Sequence, residues 1–280
     1  NVDSYRRLRN TIRFMLANLS GFDEKERIGI DKMPELERYM LARLAELDGQ
    51  VREGYAGFDF NRVAATLFAF CTNELSAFYF DIRKDVLYCD PASAVRRRST
   101  RTVMDEIFRR IVTWFAPILC FTMEEAWLSR FPGEEESVHF ETFFETPKSW
   151  ADPGLAEKWK RVRDLRRVVT GALEIARADK KIGSSLEAMP FIIVEKETDA
   201  EILASIPFEE VAITSGVEIE AVSVGETGDF TLADVPGVKV RFAPAKGAKC
   251  ERCWRVLPEV KSRDTHLCNR CTGAVEQVPA

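Results

Sequence analysis

Histidine is scarce in this sequence. Its 280 residues contain only His139 and His266, so no histidine-based catalytic site is convincing. A glycine-rich phosphate loop and a nucleophile elbow are also missing. No run of eighteen apolar residues occurs, which predicts that no segment spans a membrane. The sequence therefore predicts no catalytic residue and describes a scaffold rather than a reaction centre.

The composition bounds the class of protein. Hydrophobic residues make up 46% and charged residues 30%, a balance typical of a soluble chain with room for two or three domains. The net charge is −5, so any nucleic-acid contact must come from local basic patches. The first residue is Asn1 rather than methionine, and no signal peptide follows it. We expect the chain to be part of a longer protein.

Four of the seven cysteines lie near the C-terminus in the spacing C-x2-C-x14-C-x2-C. They are Cys250, Cys253, Cys268 and Cys271. Each two-residue spacing lets one turn direct two thiolates to a single point, and this pattern predicts one zinc ion. Four cysteines fill the coordination shell and leave no position for water. The metal should therefore be structural, which argues against a zinc hydrolase.

Two alternatives exist at this segment: a pair of disulfides, or a ligand role for His266, which lies two residues before Cys268. Nothing in the sequence points to an oxidising compartment, and His266 is more simply interpreted as a solvated loop residue. The remaining cysteines, Cys71, Cys89 and Cys120, lie in apolar surroundings and are predicted to be reduced core residues. This cysteine usage predicts a cytoplasmic protein.

Apolar residues that recur at three- and four-residue steps predict a helical chain up to about residue 180. Six helices are predicted, at about residues 5–20, 34–54, 61–84, 92–116, 117–130 and 153–180. Gly21 and Gly183 are predicted C-caps, and Pro34 is predicted to open the second helix. The third helix is apolar on more than one face, which predicts a central position in a bundle. An acidic and aromatic connection over 133–150 separates the last two helices.

The first helix carries basic residues beside its apolar stripe. They are Arg6, Arg9, Asn10 and Arg13, and no acid occurs between Arg6 and Leu19. The pattern fits a phosphate-binding face, and it also fits an ordinary solvated face. Charge alone leaves these two interpretations open.

Charges on the fourth helix follow a different pattern. Asp105–Arg109 and Glu106–Arg110 place an acid four residues before a base, which predicts a solvated helix surface. Arginines at 96, 97, 98 and 101 form a basic cluster at the start of this helix, and its role stays open.

Beyond residue 183 the pattern changes to short strands. Residues 191–194 are strand-like, 199–206 are helix-like, and alternation over 218–224 and 238–242 predicts two further strands. In the third of these segments Ile219, Ala221, Val222 and Val224 carry the apolar pattern. A small α+β unit with a short sheet is therefore predicted before the cysteine segment.

A set of motifs links these pieces to a known family. They are YRRLRNTIRFMLANLSGFD at 5–23, NELSAFY at 73–79, PIL at 117–119 with EEAW at 124–127, KIGSSLEA at 181–188, and CERCW at 250–254 with CNRC at 268–271. The helical motifs are shared in part with valyl, leucyl and methionyl relatives, whereas the cysteine motif is similar to that of isoleucyl members. The chain thus resembles the C-terminal part of the bacterial isoleucyl-tRNA synthetase family, within class I aminoacyl-tRNA synthetases.

The resemblance implies a mainly α fold. It places a helical-bundle anticodon-binding domain at 1–150, a long helix with a small α+β junction domain at 151–245, and a zinc-binding module at 246–280. The intact ligase would form isoleucyl-adenylate from ATP, with Mg²⁺, and transfer isoleucine to tRNA. Its catalytic and editing domains would lie upstream, so this chain would hold the anticodon arm and be inactive by itself.

Particular residues are expected to contact tRNA. On the first helix Arg6, Arg9 and Arg13 would bind the RNA backbone, and Asn10 on the same face is a further candidate contact. The resemblance supports two more contacts, in the zinc-binding module. Trp254 would stack on an anticodon-loop base, and Arg252 would bind a base edge or a phosphate. The alternative for Trp254 is that it packs over the zinc turn or against the α+β unit.

Two other functions fit the sequence. One is a zinc-stabilised protein-interaction scaffold without an RNA role, which an exposed apolar patch would favour. The other is the same region of a valyl-type relative. In the favoured interpretation the protein is a monomer that binds tRNA and no membrane.

Overall fold

Helices form the first of the two units into which internal contacts divide the chain. The computed structural model describes residues 2–221, 229–262 and 265–277. Unit 1 comprises Asn1–Leu87 and Ala92–Pro153, and unit 2 comprises Tyr88–Pro91 and Gly154–Ala280. The finer division into 1–150, 151–245 and 246–280 stays a prediction.

The helices up to residue 130 begin and end close to their predicted bounds. They are α1 (Val2–Asn18), α2 (Glu35–Ala56), α3 (Phe60–Ala69), a π-helical stretch (Phe70–Tyr79), α4 (Phe80–Cys89), α5 (Val95–Phe115) and α6 (Cys120–Arg130). Gly21, just past α1, has φ of +67°, the conformation predicted for a glycine after a helix. Pro34 is the N-cap of α2 rather than its first residue, so the predicted start is one residue early.

Residues 60–89 are helical throughout, but the middle turns are π-helical, which the sequence did not predict. Most of the large apolar side chains of this stretch are buried, including Val63, Leu67, Leu75 and Phe78, whereas Phe60 is exposed and Phe68 is half-buried. By length and composition it also qualifies as a membrane span, with a mean hydropathy of 1.2. However, 44% of its most apolar window is buried inside the structure, and core helices meet the same test.

Helix α5 is at least as enclosed as this stretch, although it carries many polar residues. Of its 21 residues, 15 are buried. Thr100, Thr102 and Thr113 tolerate burial because each hydroxyl donates to the carbonyl four residues earlier, at 2.8–2.9 Å. The apolar pattern placed only the third predicted helix at the centre, whereas the structure places α5 there as well.

Asp105 lies at the centre of a buried ionic cluster, and this corrects the predicted solvated surface. Both predicted pairs within α5 form, with Arg109 Nε 3.0 Å from the Asp105 carboxylate. However, Asp105 and Arg110 are buried. The Asp105 carboxylate also accepts from Arg27 Nη2 at 2.7 Å and from Arg130 Nη2 at 2.9 Å. Spacing within one helix cannot reveal partners that other elements supply.

Unit 2 contains the predicted small α+β region. Its elements are α7 (Pro153–Ala178), β1 (Phe191–Val194), α8 (Glu197–Ala204), α9 (Phe208–Ala212), β2 (Glu218–Ala221), β3 (Phe230–Leu232) and β4 (Val235–Arg241). The strands form one sheet in the order β2-β1-β4-β3, with β1 parallel to β2 and antiparallel to β4. Strand β3 and helix α9 were not predicted from the sequence. Of the predicted strand 218–224, Val222 and Val224 lie outside the described residues.

Helix α7 buries the predicted stripe, which is Val162, Leu165, Val169, Leu173 and Ala176. Its C-terminal end differs from the prediction, because Lys180 rather than Gly183 takes the left-handed conformation, with φ of +59°. Near the middle of α7, Gly171 admits the ring of Phe230, which a β-carbon would approach to 2.6 Å.

A short module closes unit 2. Strand β5 (Ala248–Lys249) pairs antiparallel with β6 (Val256–Leu257), and α10 (Asn269–Glu276) follows. Gly247 has φ of +126°, and a β-carbon there would lie 2.2 Å from the carbonyl of Leu257. Only glycine therefore allows this close approach of the two strands.

Candidate metal centre and nucleic-acid interface

Four buried cysteines meet at one point of the short module. The sulfurs of Cys250, Cys253, Cys268 and Cys271 all lie within 4.8 Å of one another. Cys253 Sγ and Cys268 Sγ are 3.8 Å apart. A tetrahedral zinc with Zn–S bonds of about 2.3 Å requires sulfur separations close to this value, whereas a disulfide requires about 2.05 Å. None of the four is in a disulfide, so the sulfurs have the arrangement of a zinc centre.

Backbone hydrogen bonds shape the two cysteine turns. The amide of Trp254 donates to Cys250 O at 2.9 Å and closes the first turn, and the amide of Cys268 donates to Cys250 Sγ at 3.3 Å. Cys268 is the N-cap of α10, and Cys271 lies in the first turn of that helix. A strand end and a helix start therefore each present two sulfurs.

The thiols of this cluster respond to burial and to one another. Burial raises the pKa of Cys253 and of Cys271, and neighbouring cysteine thiolates raise both further. Burial also opposes ionisation of Cys250, but backbone amides that donate to its sulfur outweigh this effect and lower its pKa. Four adjacent thiolates would repel one another, and a divalent cation is the group that balances their charge.

The predictions for the other cysteines and for His266 agree with the structure except at Cys120. His266 is exposed and is not part of the sulfur cluster. Cys71 and Cys89 are buried as predicted. Cys120 is exposed, which corrects its predicted core position; it is the first residue of α6, where the helix end leaves it in solvent.

Trp254 is displayed to solvent directly beside the metal centre. Its side chain is 61% exposed, so the alternative in which it packs into the protein is not what the structure has. The residue has φ of +66°, a left-handed conformation that the short cysteine turn imposes. Lys249 Nζ lies 5.5 Å from the centroid of the indole ring. Sequence reasoning missed Lys249, because only the hairpin of β5 and β6 brings it to Trp254.

Arg252, the second predicted contact in this module, is already engaged by protein atoms. Its Nη2 donates to Tyr88 O at 2.9 Å, and its Nη1 donates to Cys89 O. The side chain is half-buried. Its predicted role as an RNA contact stays a prediction, and the structure adds a second, structural role.

The basic residues of α1 are not equivalent. Arg9 forms a two-pronged ion pair with Glu125 of α6, at 2.9 and 3.2 Å, and the pair raises the pKa of Arg9 and lowers that of Glu125. Arg6 lies 3.8 Å from Asp3 in an exposed pair. Asn10 and Arg13 are exposed, and neither has an ion pair with a described residue. Acids outside residues 6–19 therefore pair with both Arg9 and Arg6, which the charge pattern of the helix itself did not reveal.

The open question about the arginines at the start of α5 is partly resolved. Arg98 donates to Glu26 O at 3.1 Å and to Lys25 O at 2.9 Å. Arg101 is buried and binds the Glu26 carboxylate at 2.8 and 3.0 Å. These two side chains hold the segment before α2, which favours a structural role for them.

Comparison with known proteins identifies the family. A family model described as "Anticodon-binding domain of tRNA ligase" matches residues 37–193, which is more than half of the chain. The chain therefore belongs to the anticodon-binding domain family of tRNA ligases. A second model, "Zinc finger found in FPG and IleRS", matches residues 247–272, the segment that holds the four cysteines.

Curated relatives narrow the family further. The chain is similar to the isoleucine–tRNA ligases of Ruegeria pomeroyi, 55% identical over 98% of this chain, and of Brucella abortus, 52% identical over 94%. It is also similar to that of Mesorhizobium japonicum, 50% identical over 94%. The chain spans 28% of the length of each. These matches confirm the resemblance and disfavour both the interaction scaffold and the valyl-type alternative.

Proposed function

We propose that this chain is the tRNA-binding region of an isoleucine–tRNA ligase. The intact enzyme attaches isoleucine to its tRNA with ATP and Mg²⁺, and the residues for that chemistry lie outside this chain. One observation carries the proposal for this region: a tryptophan held in a left-handed turn and 61% exposed beside a four-cysteine centre, in a chain of the anticodon-binding family.

In this proposal the module reads an unpaired anticodon-loop base. Trp254 offers an indole face on which a base stacks, and Lys249 places a positive charge near the same ring. Proteins recognise single-stranded RNA loops by such stacking, which contributes about 1–3 kcal/mol per base. A rigid turn displays the ring without a large loss of conformational entropy on binding.

Helix α1 supplies the backbone contacts. Arg6, Asn10 and Arg13 are exposed and available to phosphate oxygens. Arg9 also belongs to this face, although Glu125 already balances its charge. We expect the ion pair with Glu125 to hold the Arg9 side chain in place. Arg9 should therefore add less to the electrostatic attraction of RNA than Arg13.

The zinc ion has a structural role in this proposal. Cys250, Cys253, Cys268 and Cys271 would hold it, and when bound it links a strand end to a helix start. All four positions are taken by sulfur, so no residue here activates water. The module is too small to fold on its apolar residues alone, and metal binding supplies the missing free energy.

Titration of the chain with isoleucine tRNA and with a non-cognate tRNA, across salt concentrations, tests the proposal. We expect tighter binding of the cognate tRNA and a linear decrease of log K with log salt, because cationic side chains displace counterions. Equal affinity for both tRNAs at every salt concentration would refute anticodon recognition.

We also propose that the protein is a cytoplasmic monomer. The seven cysteines form no disulfide, which supports the compartment. Sedimentation analysis tests the oligomeric state, and a stable dimer would contradict it.

A further inference from the structure

The four residues Tyr88–Pro91 belong to unit 2, although they precede the rest of that unit by more than sixty residues. Both cysteine turns contact this segment. Arg252 of the first turn binds Tyr88 and Cys89, and Arg270 of the second turn lies 3.4 Å from the Asp90 carboxylate. The segment therefore has one arginine from each side of the metal centre.

Arg252 binds at a helix end. Helix α4 ends at Cys89, and the last carbonyls of a helix have no partner within the helix. Arg252 donates to two of these carbonyls, Tyr88 O and Cys89 O. They carry the negative end of the helix dipole, where a cation is favoured. A planar guanidinium suits two neighbouring oxygens, whereas a lysine ammonium would act as a point charge.

Burial shows that this contact is part of the module's interior. Cys89 is buried together with Val260 and the four clustered cysteines. The Cys89 thiol also lies 3.8 Å from the backbone oxygen of Arg252. Asp90, only 5% exposed, is buried beside Arg270. Charged groups are buried when they are paired, so these contacts fix a definite arrangement of the turns.

Trp254 follows Arg252 by two residues in the same closed turn. Its backbone direction therefore depends on where Arg252 is held. We propose that Arg252 and Arg270 bind the Tyr88–Pro91 segment and thereby set the direction of Trp254. Arg252 is then a positioning residue for the RNA-stacking side chain. The positioning stands on the contacts above, and only its effect on RNA rests on the proposed function.

Substitution of Asp90 should change RNA affinity in the direction opposite to that expected from charge alone. Asp90→Asn removes a negative charge, and electrostatics alone predicts tighter binding of an anionic RNA. If Asp90 instead holds Arg270 and so orients Trp254, the same substitution weakens binding. Asp234→Asn is the matched control. This substitution removes the same charge, but Asp234 pairs with Arg167 elsewhere in unit 2.

The first experiment needs no RNA. The chain is labelled with 5-fluorotryptophan, and the resonance of Trp254 among the five tryptophans is assigned by its loss in Trp254→Phe. We expect Asp90→Asn and Arg252→Lys to shift the Trp254 resonance while one zinc per chain is retained, and Asp234→Asn to leave it in place. An unchanged Trp254 resonance in both variants would overturn the positioning role.

The second experiment is a double-mutant cycle with an anticodon stem-loop RNA. Trp254→Ala should weaken binding by about tenfold, within the range of one lost stacking contact. If Arg252 and Asp90 act through Trp254, then Arg252→Ala and Asp90→Asn weaken binding in the native background and have little effect beside Trp254→Ala. Additive losses would make Arg252 a direct RNA contact and overturn the proposal.

The experiments distinguish a failure of the proposed RNA stacking from a failure of the proposed positioning of Trp254. If Trp254→Ala leaves RNA binding unchanged, the proposed stacking is wrong, and the fluorine spectra alone then decide whether Arg252 and Asp90 orient the side chain.

Discussion

Replacing Asp105 tests whether the buried ionic cluster of unit 1 holds its helices together. Asp105→Asn keeps the side-chain shape and removes the charge that Arg27, Arg109 and Arg130 share at 2.7–3.0 Å. A hydrogen bond to a charged group contributes about 1.5–3 kcal/mol. The three do not simply add, because Arg27 also pairs with other acids. Removing one partner from a buried ionic group costs about 3–5 kcal/mol, and we expect that loss.

Urea unfolding followed by far-UV circular dichroism measures the effect. With an m-value of about 2 kcal/mol per molar urea, the midpoint for unit 1 should fall by about 2 M. Glu125→Gln is the control, because it also removes an acid from an arginine pair but at an exposed position, and it should leave the midpoint nearly unchanged. A loss below about 1 kcal/mol in Asp105→Asn would refute the reasoning, since buried pairs exceed that value.

The pH dependence provides an independent test of the same cluster. Burial alone would raise the pKa of Asp105, but Arg109, Arg130 and Arg27 outweigh it and lower the pKa. A lowered carboxyl pKa stabilises the folded state above the unfolded pKa of about 3.9, and this stabilisation is lost as the pH falls through the folded value. The difference in stability between wild type and Asp105→Asn should therefore narrow below about pH 4. A constant difference down to pH 2 would contradict this account.

Three further predictions concern the metal and the RNA. A chelator should remove one zinc per chain and unfold the module from about Gly247 onward while the helical signal of unit 1 persists; global loss of helicity would contradict this. Arg13→Ala should lower the slope of log K against log salt by about 0.7–1, and Arg9→Ala by less because Glu125 balances its charge; equal reductions would contradict the distinction. Trp254→Ala with zinc retained should weaken tRNA binding by about 1–3 kcal/mol and leave ATP–pyrophosphate exchange of the intact ligase near normal. Undiminished aminoacylation of tRNA by this variant would refute the contact between Trp254 and tRNA.

Local patterns predicted the parts of the structure that local physics determines. The helices with a single apolar stripe, such as α1 and α7, lie close to their predicted bounds, because one buried face fixes their periodicity. The cysteine spacing predicted the sulfur cluster for a similar reason, since two-residue turns leave few ways to direct two thiolates.

Contacts between distant residues could not be predicted in this way. Nothing near Asp105 in sequence indicates that Arg27 and Arg130 converge on it, and nothing near Arg252 indicates the carbonyls of Tyr88 and Cys89. The π-helical turns were not predicted for another reason, because they lie within a stretch whose apolar pattern suits an α-helix. At the end of α7, a lysine takes the backbone conformation that glycine usually takes.

The left-handed conformation of Trp254 has a consequence for how this position evolves. A bulky side chain at positive φ destabilises the turn by about 1–3 kcal/mol, and glycine or asparagine would relieve that strain. Selection for a stable module alone would therefore replace the tryptophan. A library at position 254 sorted only for metal retention should be enriched in glycine, whereas sorting for RNA capture should restore tryptophan. Stability and recognition thus oppose each other at a single residue.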